Sequence, residues 1–166
     1  MQNELTIREM LIRRATPEEL PALGALAWAS FEAKIVQWTS DEGIAEYRRF
    51  CAFDAMLARM QEGNSFWLGE LEGEVGGAVV AMAETRDGSH LVMLFVDPGA
   101  LGKGYGKAML EEVLKTEPLA HGTSGAWTVS SSPNAIGFYA AAGFAPNGAE
   151  QIKNGLRFQP MRLAEG

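Results

Sequence analysis

From Leu91 to Leu114 the chain reads LVMLFVDPGALGKGYGKAMLEEVL, and few folds can accommodate such a stretch. Residues 91–96 form an unbroken apolar run, rich in branched aliphatic side chains, which suits a strand buried on both faces. Pro98 has no amide hydrogen for a ladder and holds Asp97 extended, so the strand stops there. Gly99, Gly102, Gly104 and Gly106 follow. Met109, Leu110, Val113 and Leu114 then recur at helical spacing. The segment therefore reads strand, glycine-rich turn, helix.

The first amides of a helix have no partner within it, and the helix dipole adds partial positive charge there. Glycines let those amides approach a phosphate without an intervening Cβ, and Lys103 and Lys107 add formal charge. The same turn also serves as an ordinary strand-helix connection that uses glycine for left-handed residues. A Walker A loop is excluded, because Leu101 and Ala108 stand where it needs glycine and Ser or Thr. The dinucleotide fingerprint fails as well, since its third glycine falls on Lys107.

The length of 166 residues with 47% hydrophobic content suits one domain, 1–166, with a substantial core. A net charge of -7 and a pI near 4.9 argue against nucleic acid or an anionic membrane as partner, and fit a cationic small molecule. No apolar run reaches membrane-spanning length and the N-terminus lacks a secretory pattern, so a cytoplasmic protein is expected. The single cysteine, Cys51, sits among Phe50, Ala52 and Phe53 and reads as a buried, inert thiol. With His90 and His121 far apart, no metal-ligand spacing exists and no metal is expected.

The rest of the chain supplies further elements in order. Met10–Arg14 is extended, and Thr16-Pro17 opens a helix lined by Leu20, Leu23, Leu26 and Ala27. Ser40-Asp41-Glu42 starts a second helical region that ends at Gly63-Asn64. Residues 66–71, 75–84 and 91–96 read as an antiparallel meander with turns at Glu72-Gly73 and Arg86-Asp87-Gly88. The glycine-turn helix should end near Glu117-Pro118, and a polar loop over 120–125 leads to a strand over 126–130. Ser132-Pro133 begins a helix over 134–142 closed by Gly143. Two final strands, from Phe144 and over 156–163, join through Asn154-Gly155.

The G-x-G-x-G after Val-Asp-Pro closely resembles the acetyl-coenzyme A loop of the GNAT superfamily of N-acetyltransferases, R/Q-x-x-G-x-G/A, aligned here as residues 101–106. Leu101 replaces the usual Arg or Gln, which removes a side-chain contact and leaves the main-chain grip. Residues 135–144, AIGFYAAAGF, resemble a second family segment, A-x-x-F-Y-x-x-x-G-F. The resemblance spans nearly the whole chain. It implies a mixed α+β fold, with a mostly antiparallel twisted sheet of about seven strands, about four helices and a splay between the strands at 91–96 and 126–130.

What the resemblance implies about function is direct transfer of an acetyl group from acetyl-CoA to a primary amine of a small molecule or peptide. The donor would be held by the loop, by Ser132 or Asn134, and by backbone amides at Leu94, Phe95 and Val96, which would also face the oxyanion. Tyr105 and Gly106 complete the loop's grip. Tyr139 matches the family tyrosine that protonates the departing thiolate, although a tyrosine beside Phe138 also suits a core. The amine needs a base, for which Glu84 and His90 are the available groups, each equally readable as a strand-end residue. Phe31, Glu32, Trp38, Asp41, Glu42 and Tyr47 provide acids and aromatics for the acceptor. A catalytically silent acyl-CoA-binding module and a transferase of longer acyl chains stay open as alternatives. Family habit and sheet edges also raise a homodimer.

Overall fold

The structure is a computed structural model that describes residues 9–72, 78–121 and 126–164, with backbone alone at 119–121. The expected strand start at Val75 and the loop over 122–125 lie outside those residues. Strand β1 (Met10–Arg14) leads into a turn in which the Thr16 amide donates to Glu19 at 2.9 Å. Arg13 donates to both oxygens of the same carboxylate, at 2.8 and 2.6 Å. These charged hydrogen bonds hold the Glu19 carboxyl down to about 2 and dock β1 against the start of helix α1 (Leu20–Lys34).

The second helical region is divided into α2 (Asp41–Phe50) and α3 (Phe53–Gln61) by the extended backbone of Ala52. The Phe50 carbonyl freed near that break accepts from Arg59 at 3.0 Å. Close packing sits at the same place: a Cβ at Gly24 of α1 would lie 2.4 Å from the Cys51 carbonyl oxygen. Cys51 is buried there, and burial pushes its thiol up to about 12, as expected of an inert cysteine.

Strands β2 (Ser65–Leu71), β3 (Ala78–Arg86) and β4 (His90–Val96) form the antiparallel meander, and helix α4 (Tyr105–His121) follows. That helix continues through Pro118 rather than stopping, since a proline removes one intrahelical hydrogen bond without obliging the helix to end. Strand β5 (Thr128–Ser131), helix α5 (Ile136–Ala141) and strands β6 (Phe144–Pro146), β7 (Gln151–Lys153) and β8 (Leu156–Leu163) complete the fold. The order across the sheet is β1-β2-β3-β4-β5-β8-β6, with β7 paired to β8. Every pair is antiparallel except β4 with β5.

The described residues thus hold eight strands and five α-helices, one more of each than the sequence suggested. The additions come from the division at Ala52 and from β7, whose three residues are too short to carry a periodic signal. Helices α4 and α5 cover one sheet face, where Met109, Leu110, Val113 and Tyr139 pack on Ala81, Ala83 and Leu91. Helices α1 and α3 cover the other, where Leu20, Leu23, Ala27 and Met56 meet Leu68, Met82 and Met93. Glu117 of α4 is fully buried in the first layer, accepting from the Trp67 indole and lying 3.2 Å from Arg14.

Candidate active site

The site begins with one extra residue in β4. Glu84 faces Met93 and Thr85 faces Leu91 across β3–β4, so Val92 is left over as a bulge. The bulge reverses the phase of the backbone. The Asp97 amide donates to Val80 on the β3 side at 2.8 Å, so by alternation the Leu94 and Val96 peptide groups point to the opposite edge. Strand β5 should cover that edge, yet its pairing with β4 stops after His90–Thr128 and Leu91–Val129. Beyond Leu91 the sheet is open, as the expected splay requires.

A cavity of about 790 Å³ runs through this gap. On the α4 side its wall is the glycine turn, where Gly102 (φ +79°) and Gly104 (φ +83°) hold left-handed conformations that strain other residues. The amides of Gly104, Tyr105, Gly106 and Lys107 donate to no other group of the described chain. Ala108 is the first with an acceptor, the Gly104 carbonyl at 3.1 Å. Four aligned donors at the positive end of a 17-residue helix form an anion cradle. Gly106 adds fit, since a Cβ there would already touch Phe138 and Val96 at 3.4 Å.

Tyr139 enters from α5. It is 5% exposed, lines the cavity, and its phenol has no hydrogen-bond partner among the described residues. Burial raises its pKa, so the hydroxyl keeps its proton at neutral pH. Edge-on contacts with Phe138 and Phe144, at 5.1 and 5.6 Å, fix the ring. From the other face comes Tyr47 of α2, stacked on Phe31 at 4.3 Å and edge-on to Phe95 at 6.3 Å. Its pKa is raised as well, first by burial and then by the nearby Cys51 and Glu84.

Of the donor-binding residues expected from the sequence, 94–96, 101–102, 104–107, Ser132 and Asn134 line the cavity, and Lys103 does not. Ser132 donates to the Asn134 amide oxygen at 2.8 Å, which pairs the two side chains expected as alternatives. Among the acceptor residues Phe31 and Tyr47 line the cavity. Glu32 and Trp38 lie outside the lining on the exposed side of the α1–α2 segment, as do Asp41 and Glu42.

Neither expected base reaches the cavity. Glu84 is fully buried on the α3 side, where Arg59 grips both its oxygens at 2.8 and 3.0 Å and Asn64 donates a third bond at 2.8 Å. With its oxygens so engaged, it anchors α3 to the sheet. His90 stands at the closed end of the gap, its Nδ1 2.8 Å from the Thr128 hydroxyl, with its pKa lowered by burial. Sequence reasoning missed Ser30, whose hydroxyl donates to the Val96 carbonyl at 3.0 Å inside the cavity wall. A serine on the buried stripe of α1, between Ala27 and Phe31, was the available signal. It also missed Lys34, Glu46, Lys153 and Arg157, which line the same cavity.

Residues 35–165 match the acetyltransferase (GNAT) domain family. The chain belongs to that family. Peptidyl-lysine N-acetyltransferase YiaC of Escherichia coli is 33% identical to this GNAT chain over 137 residues, covering 81% of the chain and 82% of the relative. A GCN5-related N-acetyltransferase from Rhodopseudomonas palustris superposes with a TM-score of 0.80 at 23% identity, over 98% of this chain and 100% of that one. The PaiA N-acetyltransferase of Thermoplasma acidophilum, solved with coenzyme A, gives 0.71 at 18% identity, over 94% and 99%. These structures share the GNAT fold with this chain.

Proposed function

We propose that this GNAT acetyltransferase moves the acetyl group of acetyl-CoA directly to a primary amine. The observation that carries the reading is the set of unpaired amides at the start of α4, joined by an open strand edge to the unpaired phenol of Tyr139. The amides of Gly104 to Lys107 bind the donor's diphosphate, with Lys107 alongside. The Leu94 peptide group and the Val96 amide, freed by the bulge, pair with the amide groups of the donor arm. In the family's chemistry an edge amide here faces the thioester oxygen, where one such donor contributes about 3 kcal/mol to the developing oxyanion.

The amine attacks the thioester carbon, the C–S bond breaks, and Tyr139 gives its proton to the departing sulfur. A phenol kept protonated by burial suits that task, because a free thiol has a pKa of about 8.5 and its thiolate leaves better once neutralised. The attacking nitrogen sheds its proton toward the acceptor mouth, where Glu46 is the one carboxylate among the described lining residues. Mixing the protein with acetyl-CoA and a panel of amines, and reading free thiol, tests the proposal. Thiol release above the buffer rate, dependent on the amine, is expected; acetyl-CoA that binds and is never consumed points to a silent binding module.

A further inference from the structure

The chain carries a net charge of -7, yet its cavity is lined by Lys34, Lys107, Lys153 and Arg157 against Glu46, the one carboxylate among the described lining residues. Neighbours already engage three of these five groups. Glu46 lies 2.7 Å from Arg49, Arg157 lies 2.7 Å from Glu150, and Lys107 is 4.0 Å from Glu111 beside the glycine turn. Lys34 and Lys153 form no ion pair among the described residues.

The fold brings these two lysines to the same cavity from distant parts of the chain. Lys34 ends α1, and Lys153 ends β7 two residues before Gly155. Gly155 is pressed against the start of α2. A Cβ on Gly43 would lie 2.4 Å from the Gly155 carbonyl oxygen, and one on Gly155 would lie 2.5 Å from the Gly43 amide nitrogen. This glycine-to-glycine contact docks the β7–β8 turn onto the α1–α2 side of the cavity. Both lysines are exposed residues that line the rim of this one cavity. The acids expected to receive an ammonium there, Glu32, Asp41 and Glu42, are outside the lining.

Resting on the proposed transfer to an amine, we propose that the acceptor also bears a carboxylate, bound by Lys34 and Lys153 at this rim. Two ammonium groups without ion-pair partners among the described residues raise the potential at the rim of the cavity, so an anionic group on the acceptor is favoured there. The carboxylate belongs either to a free amino acid or to an acidic residue beside the amine of a peptide. The chemistry recognised is the same in both.

The test compares L-amino acids with their amides, and lysine peptides flanked by Glu with the same peptides flanked by Gln. Thiol release is measured for each, together with calorimetric binding to the CoA-loaded protein. We expect one of the two arms to favour the carboxylate member by about tenfold or more, mainly in KM or Kd. The double substitution Lys34→Gln, Lys153→Gln should abolish that preference and leave the KM of acetyl-CoA unchanged. Equal use of charged and neutral members, or no binding by either, overturns the proposal. So does a preference that survives the double substitution. A raised KM for acetyl-CoA in that variant, absent with acetyl-dephospho-CoA, assigns the lysines to the donor's ribose phosphate and overturns it too. If acetyl-CoA itself fails to bind the wild-type protein, the transferase reading falls as well. A protein that binds and consumes acetyl-CoA yet ignores the carboxylate contradicts this inference alone.

Discussion

The two ends of β4 are built from the same strand and lie between the same neighbours, yet they do opposite things. At His90 and Leu91 the strand is paired on both edges, with Arg86 and Thr85 of β3 and with Thr128 and Val129 of β5. From Leu94 onward only the β3 edge is paired, and the other faces a cavity. The closed end spends its hydrogen bonds on stability. At the open end, the Leu94 peptide group, the Val96 amide and the first amides of α4 have no partner among the described residues. An unmade backbone bond is costly only where water and ligand are both excluded, so the gap survives because it opens onto a cavity.

Several substitutions break or sharpen this contrast. The largest effect is expected at Glu84, opposite the bulge, where Ala would leave Arg59 with an uncompensated buried charge. A stability loss of about 3–5 kcal/mol should appear in denaturant melts. Were Glu84 instead the base, Glu84→Gln would abolish turnover in protein that remains folded. Next is the open end itself. Gly104→Pro removes a donor and cannot adopt a φ of +83°, so calorimetry should show acetyl-CoA affinity falling by roughly 100-fold. Tyr139→Phe should lower kcat by roughly 100-fold with little change in acetyl-CoA affinity. An affinity loss with kcat intact would make the ring a packing element only.

The smallest effect belongs to the closed end. Burial lowers the pKa of His90, so the unfolded chain takes up the proton more readily than the folded one. Stability is therefore full above the ordinary imidazole value of about 6.5 and declines as pH falls below it. His90→Gln should flatten that decline in thermal melts while leaving kcat unchanged. A changed pH profile of kcat would place His90 in the chemistry after all.

How far the sequence disclosed this contrast depends on the range of the interactions involved. Strand β4, the turn and α4 were legible, because an apolar run, Pro98, glycine spacing and a helical period are local signals. The place of Tyr139 in the cavity lining was legible through the segment around it. The bulge at Val92 was not, since it alters backbone phase without altering the pattern of apolar residues. Glu84 looked available only because its partners lie 25 and 20 residues upstream in Arg59 and Asn64. Lys34 and Lys153 were passed over for the same reason, as they are 119 residues apart in the sequence and meet only as lining residues of one cavity. Trp38 misled in the opposite direction: an aromatic in the acceptor-facing segment turned out 46% exposed and away from the cavity.

The most direct test follows backbone amide resonances of isotopically labelled protein during titration with coenzyme A. The amides of Gly104 to Lys107, with those of Leu94 and Val96, should shift and gain exchange protection, while those of Leu91 and Val129 stay unchanged. Saturation with the turn amides unmoved, or shifts confined to the closed end, would contradict the claim that the open edge of β4 and the start of α4 hold the donor.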